Sequence, residues 1–190
     1  YQIEGFRWLC RLAELGLGAC LADDMGLGKT LQILALLLTR TNQGPTLVVA
    51  PTSVCANWAL EIRRFAPTLT PVEYVGDSRA ATLARLANAA PGQVVICSYA
   101  LLQQDEAQLT EISWDTVVLD EAQFIKNSES LRAKAACRLA ARQRIAATGT
   151  PVENHFGDLW SIFQFLNPGL LGDWGSFNRR FVKSMEREDG

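Results

Sequence analysis

The sequence predicts an α/β fold, a parallel sheet with helices on both faces and a helical C-terminal tail, and three observations carry this. Short apolar runs rich in Val, Ile or Leu recur at Ala19–Ala22, Thr46–Ala50, Val94–Cys97, Thr116–Leu119 and Arg144–Ala147. Most lack strict polar alternation, as strands buried on both faces do. Stretches with helical spacing lie between the runs, the pattern of parallel strands joined by crossover helices. At 190 residues, 48% hydrophobic and 20% charged, the chain has the length of one compact domain with a sizeable core.

The elements follow in order. Thr30–Arg40 is apolar all round and predicts a well-buried helix behind the first strand. Asn57–Phe65 sets Trp58, Ile62 and Phe65 at i, i+4 and i+7, with Glu61, Arg63 and Arg64 turned elsewhere. Ser130–Arg142 aligns Leu131, Ala135 and Leu139 on one stripe among Arg132, Lys134, Arg138 and Arg142. Gly157–Leu166 reads as a further helix, ended by the turn signal Asn167-Pro168-Gly169. The chain carries no internal repeat, low-complexity tract or linker.

Composition excludes several classes. A net charge of −2 rules out an overall basic nucleic-acid glove, though not a local basic strip. The longest aliphatic run, Ile33 to Leu38, is too short to span a bilayer, so no membrane partner is expected. Cys10, Cys20, Cys55, Cys97 and Cys137 are odd in number, widely spaced and without C-x-x-C. That fits neither a disulfide framework nor a zinc knuckle, and a reduced compartment is expected. His155 is the one histidine, which excludes a His-rich metal site. Because the chain starts at Tyr1 and stops amid charges, it reads as a piece of something longer, with no signal peptide visible.

Ala22-Asp23-Asp24-Met25-Gly26-Leu27-Gly28-Lys29-Thr30 follows an apolar strand and opens a buried helix. Gly26 and Gly28 let successive N–H groups converge on phosphate oxygens, and the helix N-terminus adds positive potential there. Lys29 supplies a mobile cation for β- and γ-phosphates, and the Thr30 hydroxyl can ligate Mg²⁺. The strict phosphate-loop pattern asks for glycine where Asp23 stands, so the bland alternative is a Gly-rich turn with a surface lysine. A second motif weighs against that alternative. Thr116–Leu119 runs into Asp120-Glu121-Ala122-Gln123, and two adjacent acids cannot both be unpaired core residues. Ligands of open α/β sheets bind beyond the carboxyl ends of strands. Asp120 is assigned to the metal and Glu121 to the attacking water.

Motifs along nearly the whole chain resemble the first RecA-like lobe of superfamily II helicase-type ATPases, in the Swi/Snf group of double-stranded DNA translocases. Tyr1-Gln2 with Gly5 and Trp8-Leu9 resembles the group's opening motif, which implies that Gln2 reads the adenine edge. Asp23–Thr30 is similar to the family's DEMGLGKT loop, where an acid at position 23 is a family trait. The resemblance carries nucleotide binding to Asp24, Met25, Gly26, Leu27, Gly28, Lys29 and Thr30. Val49-Ala50-Pro51 with Asn57-Trp58 looks like a DNA-contacting motif, and Val95–Tyr99 like the next one. These imply DNA contacts from Thr52, Ser53, Asn57, Ser98 and Tyr99, with Arg63 and Arg64 as neighbouring candidates. Asp120–Gln123 reads DEAQ where many relatives have DEAH, and Gln123 joins Lys29, Asp120 and Glu121 as a catalytic candidate. Ala147–Pro151 with Asn154 resembles the LTGTP-x-x-N motif, which implies a coupling role for Thr148, Gly149, Thr150 and Asn154.

The resemblance implies a P-loop NTPase lobe over residues 1–155 with a helical continuation over 156–190, using ATP and Mg²⁺. The family motor clamps ATP between two RecA-like lobes, and nothing after Asn154 looks like the second, which carries the arginine finger. Such a finger is worth about 10³–10⁵ in rate, so little activity is expected from this piece by itself. Double-stranded DNA and the second lobe are the expected partners. A non-hydrolysing nucleotide switch is the alternative reading, which intact Asp120 and Glu121 disfavour. A dinucleotide-dependent oxidoreductase lacks its G-x-G-x-x-G, because Gly28 is followed by Lys29-Thr30-Leu31. The DEAQ variant and abundant Ala, Leu and Arg favour a bacterial, nucleoid-associated cytoplasmic protein, or a nuclear one in a eukaryote. Charge is also partitioned: Tyr99 to Gln123 holds six acids and no Lys or Arg, whereas Ile125 to Thr150 holds six bases against Glu129. A solvated amphipathic face is the first reading of that basic run.

Overall fold

The computed structural model describes residues 1–24, 26–86, 91–152 and 156–182. Helix α1 (Gln2–Glu14) precedes β1 (Ala19–Leu21), followed by α2 (Lys29–Thr39), β2 (Thr46–Ala50), α3 (Thr52–Phe65) and β3 (Thr70–Glu73). Then come α4 (Arg79–Leu86), β4 (Gln93–Ser98), α5 (Tyr99–Gln104), α6 (Glu106–Thr110) and β5 (Trp114–Asp120). A 3₁₀ turn over Ala122–Ile125 leads to α7 (Leu131–Arg138), β6 (Ala141–Ala147), α8 (Phe156–Leu166) and α9 (Trp174–Phe177).

All six strands pair in parallel, in the order β1-β6-β5-β2-β4-β3. Successive strand residues face opposite sides, which splits the core in two. Ala19, Leu21, Val48, Ala50, Val118, Ile145 and Ala147 pack with the buried faces of α1, α2 and α3. Leu47, Val49, Val95, Val117, Leu119 and Ala146 pack on the other side with α5 to α8. Double coverage explains why these strands read as continuous apolar runs. Ile162, Phe165 and Leu166 of α8 join the second cluster, so this part of the expected tail belongs to the main core. Its end also pins the start of β1: Gly18 N–H donates to Asn167 Oδ1 at 2.8 Å, and Asn167 Nδ2 donates to the Gly18 carbonyl at 3.2 Å.

Two sequence expectations change, and one strand was not anticipated. The stripe over Ser130–Arg142 overreaches: the helix stops at Arg138, Leu139 turns extended, and Ala141 and Arg142 belong to β6. Leu131 is exposed, while Ala135 and Leu139 are buried. The helix expected over Asn57–Phe65 begins at Thr52, directly after Pro51. Strand β3 carries no strong apolar run, because Thr-Pro-Val-Glu lies at a half-exposed sheet edge, where a proline without an N–H is tolerated. A buried ion pair ties the opposite end of the sheet: Arg40 donates to Asp115 through Nη2 at 2.7 Å and Nε at 2.9 Å.

Candidate active site

Parallel pairing brings the carboxyl ends of β1, β6 and β5 to one edge, with β6 between the other two. The phosphate loop leaves β1 and the acid pair leaves β5. In the loop, Gly26 and Gly28 have φ of 82° and 75°, left-handed values that L side chains rarely adopt. A Cβ at Gly26 would meet nothing within 4 Å, so the loop is open on that side. Lys29 begins α2 and folds back over the loop, donating from Nζ to the carbonyls of Asp23 at 2.6 Å and Asp24 at 3.1 Å. Gln2 lies against the same loop: its amide donates to the Leu27 carbonyl at 3.4 Å, and a Cβ at Gly28 would approach its Nε2 to 2.4 Å. Asp23 is not a stand-in for glycine but an anchor, since its carboxylate accepts from Gln32 Nε2 at 2.8 Å. Met25 lies outside the described residues.

Asp120 ends β5 with each oxygen engaged once. Trp58 Nε1 donates to Oδ2 at 2.7 Å, and the Glu121 N–H donates to Oδ1 at 3.0 Å. Tyr99 fixes the backbone by donating its hydroxyl to the Asp120 carbonyl at 2.8 Å. Burial pushes the Asp120 carboxyl up from its ordinary pKa, opposed by the Trp58 hydrogen bond; the Glu121 charge raises it further, and the Glu121 N–H and Lys29 pull it down.

Glu121 has φ of 50°, the one positive-φ non-glycine among the described residues. Such a conformation costs about 1–3 kcal/mol and persists only where its surroundings impose it. It turns the chain so that Glu121 Oε2 accepts from Gln123 Nε2 at 2.8 Å. Gln123 Oε1 in turn accepts from Thr148 Oγ1 at 2.9 Å, and Thr148 Oγ1 accepts from the Thr150 N–H at 3.1 Å. A continuous relay thus runs from the second acid to the turn after β6. Asn154 and His155 fall outside the described residues.

The model of the SNF2-related domain matches residues 1–190. The chain belongs to this family. Over 192 residues it is 43% identical to YwqA of Bacillus subtilis, covering 99% of this chain and 21% of that protein. It is 41% identical over 199 residues to the chromatin-remodeling ATPase INO80 of Arabidopsis thaliana, covering 98% of this chain and 13% of the relative. The chain therefore spans about a fifth or less of those proteins. The SWI2/SNF2 ATPase core of Sulfolobus solfataricus, solved in complex with double-stranded DNA, superposes with a TM-score of 0.89 at 42% identity. That match covers 100% of this chain and 40% of the other. The expected Swi/Snf membership and RecA-like parallel sheet both hold.

In this SNF2-related domain the residues expected to touch DNA divide into two sets. Thr52, Ser53, Asn57, Arg63 and Arg64 are exposed along α3, with Arg63 near Glu73 at 3.5 Å. Ser98 and Tyr99 are 6% and 3% exposed. Ser98 Oγ caps α5 by accepting from Leu101 N–H, and Tyr99 stacks on Phe124 with centroids 5.2 Å apart. In this arrangement the Ser98 side chain serves the α5 cap, and the Tyr99 side chain serves packing and the support of Asp120. The basic run is largely a solvated face, as the sequence suggested: Arg132, Lys134, Arg138 and Arg142 are exposed, Lys134 pairs with Glu129 and Arg138 with Glu106 at the surface, and Arg144 turns inward to donate to the carbonyls of Phe165 and Leu139. The helical stripe over Asn57–Phe65 marked Trp58 for packing, and it is 1% exposed, but the stripe gave no sign of its bond to Asp120. The available signal was chemical: a buried indole N–H needs an acceptor.

Among the described residues no helix is long and apolar enough to cross a membrane.

Proposed function

We propose that the chain is the ATP-binding lobe of a DNA-dependent ATPase, in which hydrolysis of Mg-ATP drives movement along duplex DNA in the whole protein. The observation that carries this reading is the sheet edge itself, where the Lys29 loop leaves β1 and the Asp120 acid pair leaves β5 on either side of β6, with Glu121, Gln123 and Thr148 joined by hydrogen bonds. The open Gly26 side, the cation at Lys29 and the N-terminus of α2 suit a polyphosphate. Thr30 and Asp120, a hydroxyl and a carboxylate, are the hard oxygen donors that suit Mg²⁺. Bound there, Mg²⁺ would neutralise charge on the phosphate oxygens.

Gln2 holds the adenine end, and Lys29 exchanges its contacts with the Asp23 and Asp24 carbonyls for phosphate oxygens. Glu121 orients the attacking water and accepts its proton, while Gln123 holds the Glu121 carboxylate in place. The relay to Thr148 and Thr150, with Gly149 between them and Asn154 beyond, passes the state of the site to the rest of the motor. Exposed Thr52, Ser53 and Asn57, with Arg63 and Arg64, contribute positioning contacts to DNA phosphates rather than base readout. The INO80 relatives and the DNA complex of the Sulfolobus core support duplex DNA as the partner. A second RecA-like lobe completes the motor by supplying the arginine finger. A nucleoid-associated protein of a bacterial cytoplasm fits the likeness to YwqA.

Lys29→Ala tests the reading by calorimetry with Mg-ATP. Loss of a charge-assisted phosphate contact lowers affinity by about 10–100-fold. Binding at native strength by this variant refutes the assignment.

A further inference from the structure

We propose that Trp58 is a positioning residue for the Asp120 carboxylate and that helix α3 is thereby part of the metal site, an inference resting on Asp120 as a Mg²⁺ ligand. Trp58 lies 62 positions before Asp120, on the helix that leaves the neighbouring strand β2. Its side chain is 1% exposed and packs in the cluster that contains Ala50, Val118 and Ala147. The ring is held by packing, so its single N–H points in a set direction, and that direction meets Oδ2 at 2.7 Å. The Glu121 N–H takes Oδ1 at 3.0 Å from the other side.

One donor on each oxygen fixes the plane of a group otherwise free to rotate about χ2. A carboxylate oxygen accepts about two hydrogen bonds, so each oxygen keeps a lone pair for the metal and its waters. Partners that orient a metal ligand typically matter by about 10–100-fold in metal affinity. Trp58 meets that description without touching nucleotide or metal itself. The exposed start of α3 holds Thr52 and Ser53, about one and a half turns before Trp58. A displacement of α3 is therefore delivered to Asp120 through one buried N–H.

The test is a Mg²⁺ titration of the binding of a fluorescent ATP analogue by the intact protein, with binding in EDTA measured beside it. Trp58→Phe keeps most of the buried ring and removes the donor. The Mg²⁺ midpoint should rise about 10-fold while affinity in EDTA stays native. A native midpoint overturns the proposal. So does an equal loss with and without Mg²⁺, which would mark a packing role. Asp120→Asn separates the underlying reading: it should abolish the Mg²⁺ response, and a native response would remove Asp120 from the metal site altogether. A measurement on the native protein covers the case in which Trp58→Phe fails to fold. The Trp58 indole N–H resonance, assigned through the backbone, should move when Mg²⁺ joins the bound nucleotide, and a stationary resonance overturns the proposal.

Discussion

Gly5→Ala sets two effects of opposite sign against each other. Alanine in the interior of α1 gains about 0.5–1 kcal/mol over glycine through lower backbone entropy. At this position, however, the added Cβ would lie 1.8 Å from Oε1 of Gln32 and 2.8 Å from its Cδ. The amide must swing by more than an ångström to reach even a tight contact. Gln32 is 2% exposed, and its Nε2 bond to Asp23 at 2.8 Å is the one that would break. Leaving a buried polar group unpaired costs about 1–3 kcal/mol, so the net is a loss of about 1–2 kcal/mol. For a chain of this size that lowers Tm by about 3–6 °C. Thermal melts by circular dichroism measure it, and the same substitution in a Gln32→Ala background should become stabilising. A rise in Tm from Gly5→Ala in the native background would refute the reasoning. It would mean that Gln32 is not held against α1.

Two further predictions concern the relay and the ion pair. Thr148→Val preserves shape at a fully buried position but strips the partner from Gln123 Oε1 and from the Thr150 N–H. In the whole protein, with its second lobe, phosphate release should fall while calorimetric nucleotide affinity stays native, at a stability cost of about 1–3 kcal/mol. Arg40→Met leaves the Asp115 carboxylate, 1% exposed, without its guanidinium. Unfolding in urea should show a loss of about 3–5 kcal/mol, largely recovered when Asp115→Leu is added, because an apolar pair avoids the desolvation penalty.

The parts of this molecule that the sequence made legible are contiguous. The phosphate loop spans Asp23 to Thr30, and its neighbours announce a strand and a helix. The acid pair sits at the end of an unbroken apolar run. The parts that stayed hidden depend on pairs far apart in the chain. Nothing near Trp58 marks Asp120 as its acceptor, and nothing near Gln123 marks Thr148. Tyr99 shows the converse case: its place beside a strand end suggested an outward contact, whereas its ring stacks on Phe124 and it is 3% exposed. Strand β3 was hidden for a third reason. An edge strand with Pro71 and only half-buried side chains carries little of the apolar signal that identifies its neighbours.

The strand order has a mechanical consequence. Strands β1, β6 and β5 carry the candidate nucleotide-site residues, β2 leads into the helix bearing the candidate DNA contacts, and the border between the two regions is the β5–β2 pairing. That border is locked in register from Thr46 opposite Thr116 to Val49 opposite Leu119. Val48, Val49, Val118 and Leu119 along it are fully buried. Sliding one half of the sheet past the other would break this ladder and both packed faces at once, so shear across the border is closed as a route of communication. Signals must cross above it, through the loops at the strand ends, where the Trp58 to Asp120 bond is one such bridge. Such a sheet is a rigid bed, and whatever moves in the proposed motor must lie along one rim of it.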